Sequence, residues 1–88
     1  MPYALREFRD TPNPNAVKCV LDRSMGEGMR SYFNAAQAAG DPVASRLFAI
    51  EGVTNVLIHG DWITVGKRPE AAWGPIRRGV ERVLRGAE

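Results

Sequence analysis

The stretch VTNVLIHGDWITVGK, residues 53–67, decides the fold class of this chain. Apolar and polar residues alternate on both sides of positions 60–61, a pattern typical of a β-hairpin closed by a short turn. A two-residue turn and a four-residue loop give the same pairing between the strands. The β-branched residues expected to face the core in this pairing are Ile58 opposite Ile63 and Val56 opposite Val65.

The opposite face of this hairpin carries Leu57, His59, Trp62 and Thr64, an unusual set for a face turned to solvent. Aromatic residues are concentrated at the centres of protein interfaces. We therefore predict a partner-contact surface formed by Leu57, Trp62 and Thr64. The alternative, that the N-terminal strand or a loop covers these side chains, is equally open at this point.

Three more strands and two helices are indicated outside the hairpin. In the first strand, Tyr3 and Leu5 are expected on one side and Phe8 on the other. Asp41-Pro42 is a helix start, with a capping carboxylate followed by proline at the first helical position. The predicted elements are strands at Tyr3–Phe8, Ala16–Leu21 and Met29–Asn34, a helix from Pro42 to about Glu51, and a helix over Glu70–Gly86.

The predicted fold is an α+β domain spanning residues 1–88. We expect an antiparallel β-sheet of four or five strands covered on one face by two helices. The order is β-β-α-β-β-α, with the Tyr3–Phe8 strand as an additional element in front. A helix with one apolar stripe has to bury that stripe, and a sheet has to bury its apolar face. Packing the two against each other does both, which favours this layered arrangement.

Composition limits the possible functions. The chain has 88 residues and a formal net charge of +2, too small a charge to predict nucleic-acid binding by itself. A single cysteine excludes an intrachain disulfide, and the opening residues lack the apolar segment of a signal peptide. No apolar run approaches the roughly 18 residues of a membrane span. We expect a cytoplasmic protein that does not associate with membranes.

Metal and catalytic sites lack the necessary residues. A zinc ion or iron–sulfur cluster needs three or four thiolate or imidazole ligands, and one chain offers Cys19 and His59. A homodimer could pool two of each, but a structural Cys19 is the favoured reading. Its apolar strand would also raise the pKa of the thiol, which opposes nucleophilic catalysis. We expect no cofactor and no enzymatic activity.

Two further regions are candidates for binding. The connector Thr11–Asn15 contains two prolines, so it is a rigid segment and neither a helix nor a central strand. We expect its residues Pro12, Asn13, Pro14 and Asn15 to lie near the hairpin surface. The C-terminal helix has a basic face that could meet an acidic protein or a nucleic acid, although such arginines are usually only solvated. This face comprises Arg77, Arg78, Arg82 and Arg85.

Several segments together resemble one family. They are TPNPNAVK at 11–18, DPVA at 41–44, LFAIEGV at 47–53, and DWITV at 61–65 followed by Lys67. In order and spacing these segments are similar to the N-terminal domain of Nfu/NifU-type iron–sulfur scaffold proteins. The similarity runs from about Thr11 to Leu84.

The resemblance implies a compact α/β domain associated with iron–sulfur cluster assembly and delivery. In this family a C-x-x-C motif in a separate C-terminal domain holds the cluster, and this sequence contains no such motif. We therefore expect a stand-alone, non-ligating accessory domain whose partners are iron–sulfur assembly or recipient proteins. The alternative is a nucleic-acid or acidic-protein binding module that uses the basic C-terminal helix, with nucleic acid the less favoured partner.

Overall fold

Five antiparallel strands form one sheet in the computed structural model, which describes residues 3–24, 26 and 28–86. The sheet order is β1-β2-β5-β4-β3, and the chain order β-β-β-α-β-β-α confirms the predicted α+β class. No helix in the described part of the chain has the length and apolar character needed to cross a membrane. The elements are β1 Leu5–Asp10, β2 Ala16–Leu21, β3 Met29–Tyr32, α1 Pro42–Phe48, β4 Val53–His59, β5 Trp62–Lys67 and α2 Trp73–Gly86.

The hairpin of β4 and β5 has the register that its sequence predicts. Ile58 lies opposite Ile63, and Val56 lies opposite Val65. His59 pairs with Trp62, so Gly60 and Asp61 form a two-residue turn. Gly60 has a φ of 58°, whereas no non-glycine residue described has a positive φ. This combination matches the φ signs of a type II′ turn, which places glycine first and suits the twist of a hairpin.

Both helices pack on the same face of the sheet, where the apolar side chains of the hairpin point. The core joins the β-branched residues of β4 and β5 to Leu47 of α1 and to Ile76, Val80 and Leu84 of α2. Cys19 lies among them on β2 and is fully buried. The other face of the sheet is left without a helical layer.

The orientation predicted for Phe8 is wrong. Leu5 pairs with Leu21 and Phe8 pairs with Cys19, with an irregularity in register between Leu5 and Glu7. An inserted residue of this kind reverses the alternation of side chains along the strand. Leu5 and Phe8 therefore both pack against the core.

Helix α1 is shorter than predicted, because it ends at Phe48 with Ala49 as its C-cap instead of continuing to Glu51. Gly52, at a φ of 96°, then turns the chain toward β4. An added Cβ on Gly52 would lie 2.8 Å from the Cβ of Ala71, so close packing also requires glycine here. Helix α2 starts at Trp73 and not at Glu70, since residues 68–71 form a turn with Ala71 N donating to Arg68 O.

The N-terminus of α1 is fixed by one buried carboxylate. Asp41 is the N-cap, and its Oδ1 accepts a hydrogen bond from the backbone N–H of Ala44. Its Oδ2 accepts from Arg30 Nη1 at 2.7 Å and from the Tyr32 hydroxyl at 3.1 Å. Asp41 thus attaches the start of α1 to β3, the strand at one edge of the sheet.

Candidate functional site

The face of the sheet that the helices do not cover carries the predicted hairpin surface. Leu57 lies directly opposite Thr64, and Trp62 follows on the same face of β5. The N-terminal strand β1 extends the sheet beside β2 and does not fold over this face. All three side chains are partly exposed. We call this surface, defined by Leu57, Trp62, Thr64 and the neighbours named below, the open face.

Trp62 lies at the centre of a row of side chains that crosses four strands. Trp62 pairs with Val20 of β2 on one side and with His59 of β4 on the other. His59 in turn pairs with Met29 of β3. Lys18 Nζ lies 4.7 Å from the centre of the indole ring, and the His59 ring lies 5.3 Å from it. A cation over the ring and a second ring beside it hold the indole in place while part of its surface remains exposed.

A large apolar side chain extends the open face toward β3. Met29 pairs with His59, whose side chain is on this face, and it is 65% exposed. Met29 is not part of the predicted contact surface. The alternation of β3 puts Met29 and Ser31 on one side of the strand, but only the pairing with β4 shows that this side is the open face. Phe33, which is 68% exposed, follows the end of β3.

The connector Thr11–Asn15 lies at the other end of the sheet from Trp62. Ala16, which follows it, is four residues from Val20, the partner of Trp62, or about 13 Å along β2. The hydroxyl of Thr11 donates to the carbonyls of Asn13 and Ala16, and Asn13 Oδ1 accepts from Asn15 N. These bonds give the connector a defined shape at the edge of the open face, nearer to Thr64 than to Trp62.

Lys67 and Trp73 tie the connector to the rest of the chain. The ammonium group of Lys67, a nearly buried residue, donates to Asn15 Oδ1 at 3.0 Å and to the carbonyls of Arg68 and Pro69. Trp73 Nε1 donates to Pro14 O at 3.2 Å. A pocket of about 360 Å³ lies between the connector and α2, and Asp10 and Arg77 contribute to its lining.

The four arginines of the predicted basic face have different neighbours. The guanidinium of Arg77 lies 5.1 Å from the ring centre of Phe8, over β1. Arg78 and Arg82, one turn apart, line a groove toward α1. Arg85 follows one turn after Arg82 on the same side of α2 and lines a hollow with Leu5 and Glu81. Binding by this face stays a prediction.

Cys19 and His59 lie on opposite faces of the sheet and cannot act together. Cys19 is buried on the core face, whereas His59 is exposed on the open face. Within the described residues, no three His, Cys, Asp or Glu side chains are grouped as metal ligands. The residues present do not fit an iron–sulfur cluster within this chain. Burial raises the pKa of the Cys19 thiol to about 12, which keeps it protonated and unreactive near neutral pH.

The sequence pattern described as "Scaffold protein Nfu/NifU N terminal" matches residues 7–87 of this chain. The chain belongs to the Nfu/NifU N-terminal family. The predicted resemblance is thereby confirmed over almost the whole sequence. Two of the segments that carry the resemblance, at 11–18 and 61–67, meet in the structure through the Lys67–Asn15 hydrogen bond. In this Nfu N-terminal domain they have a structural role that the sequence alone does not show.

Curated relatives of this Nfu N-terminal domain include proteins named "NFU1 iron-sulfur cluster scaffold homolog, mitochondrial". Those of Drosophila willistoni and Drosophila virilis are each 37% identical over 80 residues. The alignment with the first covers 89% of this chain and 28% of the relative, so the chain spans less than a third of that protein. Their names place these relatives in mitochondria, and the cytoplasmic location of this chain stays a prediction.

Solved structures similar to this Nfu N-terminal domain come from staphylococci. The crystal structure of SAV1430 from Staphylococcus aureus has a TM-score of 0.74 at 26% identity. The alignment covers 91% of this chain and 96% of the SAV1430 chain. The solution structure of SeR13 from Staphylococcus epidermidis has a TM-score of 0.62 at 29% identity, covering 89% and 91%. The strand and helix arrangement described above is therefore a shared fold.

The buried thiol gives a prediction for stability at alkaline pH. Because the folded-state pKa of Cys19, about 12, lies above the ordinary thiol value of 9.0, the folded state holds its proton after the unfolded state has lost it. This contribution is fully present below pH 9 and is lost between pH 9 and 12, at about 1.4 kcal/mol per pH unit. Urea unfolding under reducing conditions should show that the stability advantage of wild type over Cys19→Ala falls by about 3 kcal/mol from pH 8 to pH 11.

Titration of other groups affects both proteins equally, so the comparison isolates the thiol. An advantage that stays constant over this pH range would show that Cys19 is not buried in a protonated state.

Proposed function

We propose that this chain is a non-enzymatic accessory domain of iron–sulfur cluster assembly or delivery that acts by protein–protein contact through its open face. Family membership and the names of the relatives support the relation to iron–sulfur assembly. The single observation that carries the contact role is the partly exposed Trp62, held between Lys18 and His59 on the sheet face that the two described helices do not cover.

The composition of the open face supports a protein partner. Aromatic and methionine side chains are enriched at interfaces, and a central tryptophan is the most frequent kind of hot spot. The large exposed side chain of Met29 would be removed from water by such a partner. Lys18 adds positive charge toward β1, where its neighbour Arg9 is paired with Glu7 at 3.0 Å, and charge at the rim of an interface mainly steers association.

The side chains of this chain that could bind a cluster do not favour such a role. Cys19 is buried in the core, whereas the His59 ring lies beside Trp62 on the other face, so the two cannot bind one cluster together. The proposed role is therefore to hold or position another protein that carries or receives the cluster. The cluster is the cargo of that partner.

The proposal is tested by measuring whether the chain changes cluster transfer from a cluster-loaded assembly scaffold to an apo iron–sulfur recipient. Binding to each of these proteins is measured alongside by calorimetry. We expect Trp62→Ala to weaken binding about tenfold or more, as for a central hot-spot residue, without loss of the folded state. Circular dichroism and urea unfolding verify that the variant folds.

Arg85→Ala, on the helical side of the molecule, is the control and should bind as the wild type does. If Arg85→Ala weakens binding and Trp62→Ala does not, the contact lies on the helices and the open-face proposal is wrong. If neither protein binds and transfer kinetics do not change, the accessory role itself is wrong.

A further inference from the structure

The two helices enclose a groove on the side of the molecule opposite the open face. Its volume is about 410 Å³. An added Cβ on Gly79 would lie 3.0 Å from Ile50 Cδ1, so the absence of a side chain allows the segment after α1 to pack closely against α2. Ile50 and Gly79 thus form an apolar floor, which Ala49 and Val83 extend.

Three arginines from two helices line this groove. Arg78 and Arg82 are one turn apart on α2, and Arg46 lies in the last turn of α1. All three are exposed. Arg46 Nη1 donates to the carbonyl of Gly86 at 3.3 Å, which directs this side chain across to α2. Like charges placed close together repel each other, so an opposing charge brought into the groove would be attracted by all three.

One carboxylate, Glu51, lines the groove among the described residues, and it lies 4.0 Å from the guanidinium of Arg68. The described lining of the groove therefore contains three arginines and one acidic residue, which leaves an excess of positive charge. A guanidinium binds a carboxylate through two parallel hydrogen bonds, which makes arginine well suited to an acidic side chain.

We propose that this groove binds an acidic peptide segment whose carboxylates pair with Arg46, Arg78 and Arg82 while its apolar side chains cover Ile50 and Val83. A protein segment fits better than a nucleic acid. No aromatic residue lines the groove to stack on bases, and the net charge of +2 is small for binding a phosphate backbone. Because the groove lies on the helical layer, this proposal does not depend on the open face or on iron–sulfur proteins.

The test uses a fluorescent peptide of about 14 residues, which as a helix would match the length of α2, with glutamates on one face and leucines on the other. Anisotropy is measured with the full chain at low ionic strength, about 20 mM, where screening is weak. We expect saturable binding, amide shifts in ¹⁵N spectra centred on Ala49, Gly79 and Val83, and weaker binding as salt increases.

Arg78→Gln/Arg82→Gln is expected to weaken binding about fivefold to tenfold, as two exposed ion pairs are lost. The matched control is Arg6→Gln/Arg9→Gln on β1, which removes the same two positive charges and should bind as the wild type does. An equal loss in both variants would show attraction by net charge only and would overturn the proposal. So would the absence of binding, or displacement of the peptide by an oligothymidylate at lower concentrations than by unlabelled peptide.

Discussion

Truncation of Leu47 to alanine is expected to lower the free energy of unfolding by about 3 kcal/mol, the largest effect of any single change considered for this chain. Leu47 is fully buried and connects α1 to the sheet and to α2. Helix α1 has only seven residues, too few to be stable in water without tertiary contacts. The loss therefore combines the transfer of the removed carbons to water with the cavity that they leave.

Urea unfolding followed by circular dichroism measures this effect at neutral pH. Ser45→Ala is the control, because Ser45 is exposed on the same helix, and its stability should stay within about 0.5 kcal/mol of wild type. A change below about 1 kcal/mol in Leu47→Ala would show that α1 does not pack on the core as described.

The second large effect is expected for Asp41→Ala, which should lower the free energy of unfolding by about 2 to 3 kcal/mol. Loss of the N-cap bond to Ala44 accounts for about 1 kcal/mol. The remainder comes from the bonds to Arg30 and Tyr32, discounted because the Arg30 side chain is 38% exposed. Because Tyr32 and Arg30 are on β3, the change should also loosen this edge strand.

Asp41→Ser separates the two contributions. A serine hydroxyl can cap α1 but does not supply a charge for Arg30, so its stability should fall between those of wild type and Asp41→Ala. Amide hydrogen exchange should show faster exchange in β3 for both variants. Equal stability of wild type and Asp41→Ala would mean that the carboxylate does not join α1 to the sheet.

Local sequence patterns were sufficient for the hairpin and for the class of fold. The alternation on both sides of Gly60-Asp61 determined the register, and the core-facing pairs Ile58–Ile63 and Val56–Val65 followed from it, whereas the irregularity between Val53 and Asn55 did not. The irregularity between Leu5 and Glu7 was not predictable, because the residues at a bulge can be of the same types as those in a regular strand. The ends of α1 and α2 also differed from prediction, since turns at 49–52 and 68–71 depend on contacts between distant parts of the chain.

For the open face and for the groove between the helices, the sequence predicted only those residues that share one strand, hairpin or helix. Alternation placed Leu57, Trp62 and Thr64 on one face, but the sheet order that adds Met29 is a tertiary property. In the same way, the helical period of α2 showed its arginines but not the residues of other elements that each one lies against. Arg46 joins two of them because of how α1 packs on α2, and the sequence of either helix alone could not indicate this.

The anchoring of the connector by Lys67 and Trp73 also affects the order of folding. The hydrogen bonds from Lys67 to Asn15 and from Trp73 to Pro14 join residues 52 and 59 positions apart. Closing such long loops costs chain entropy that only a largely formed sheet can offset. We therefore expect the connector to form late, after β2 has paired with β5, and to be among the first parts of the chain to open during local unfolding.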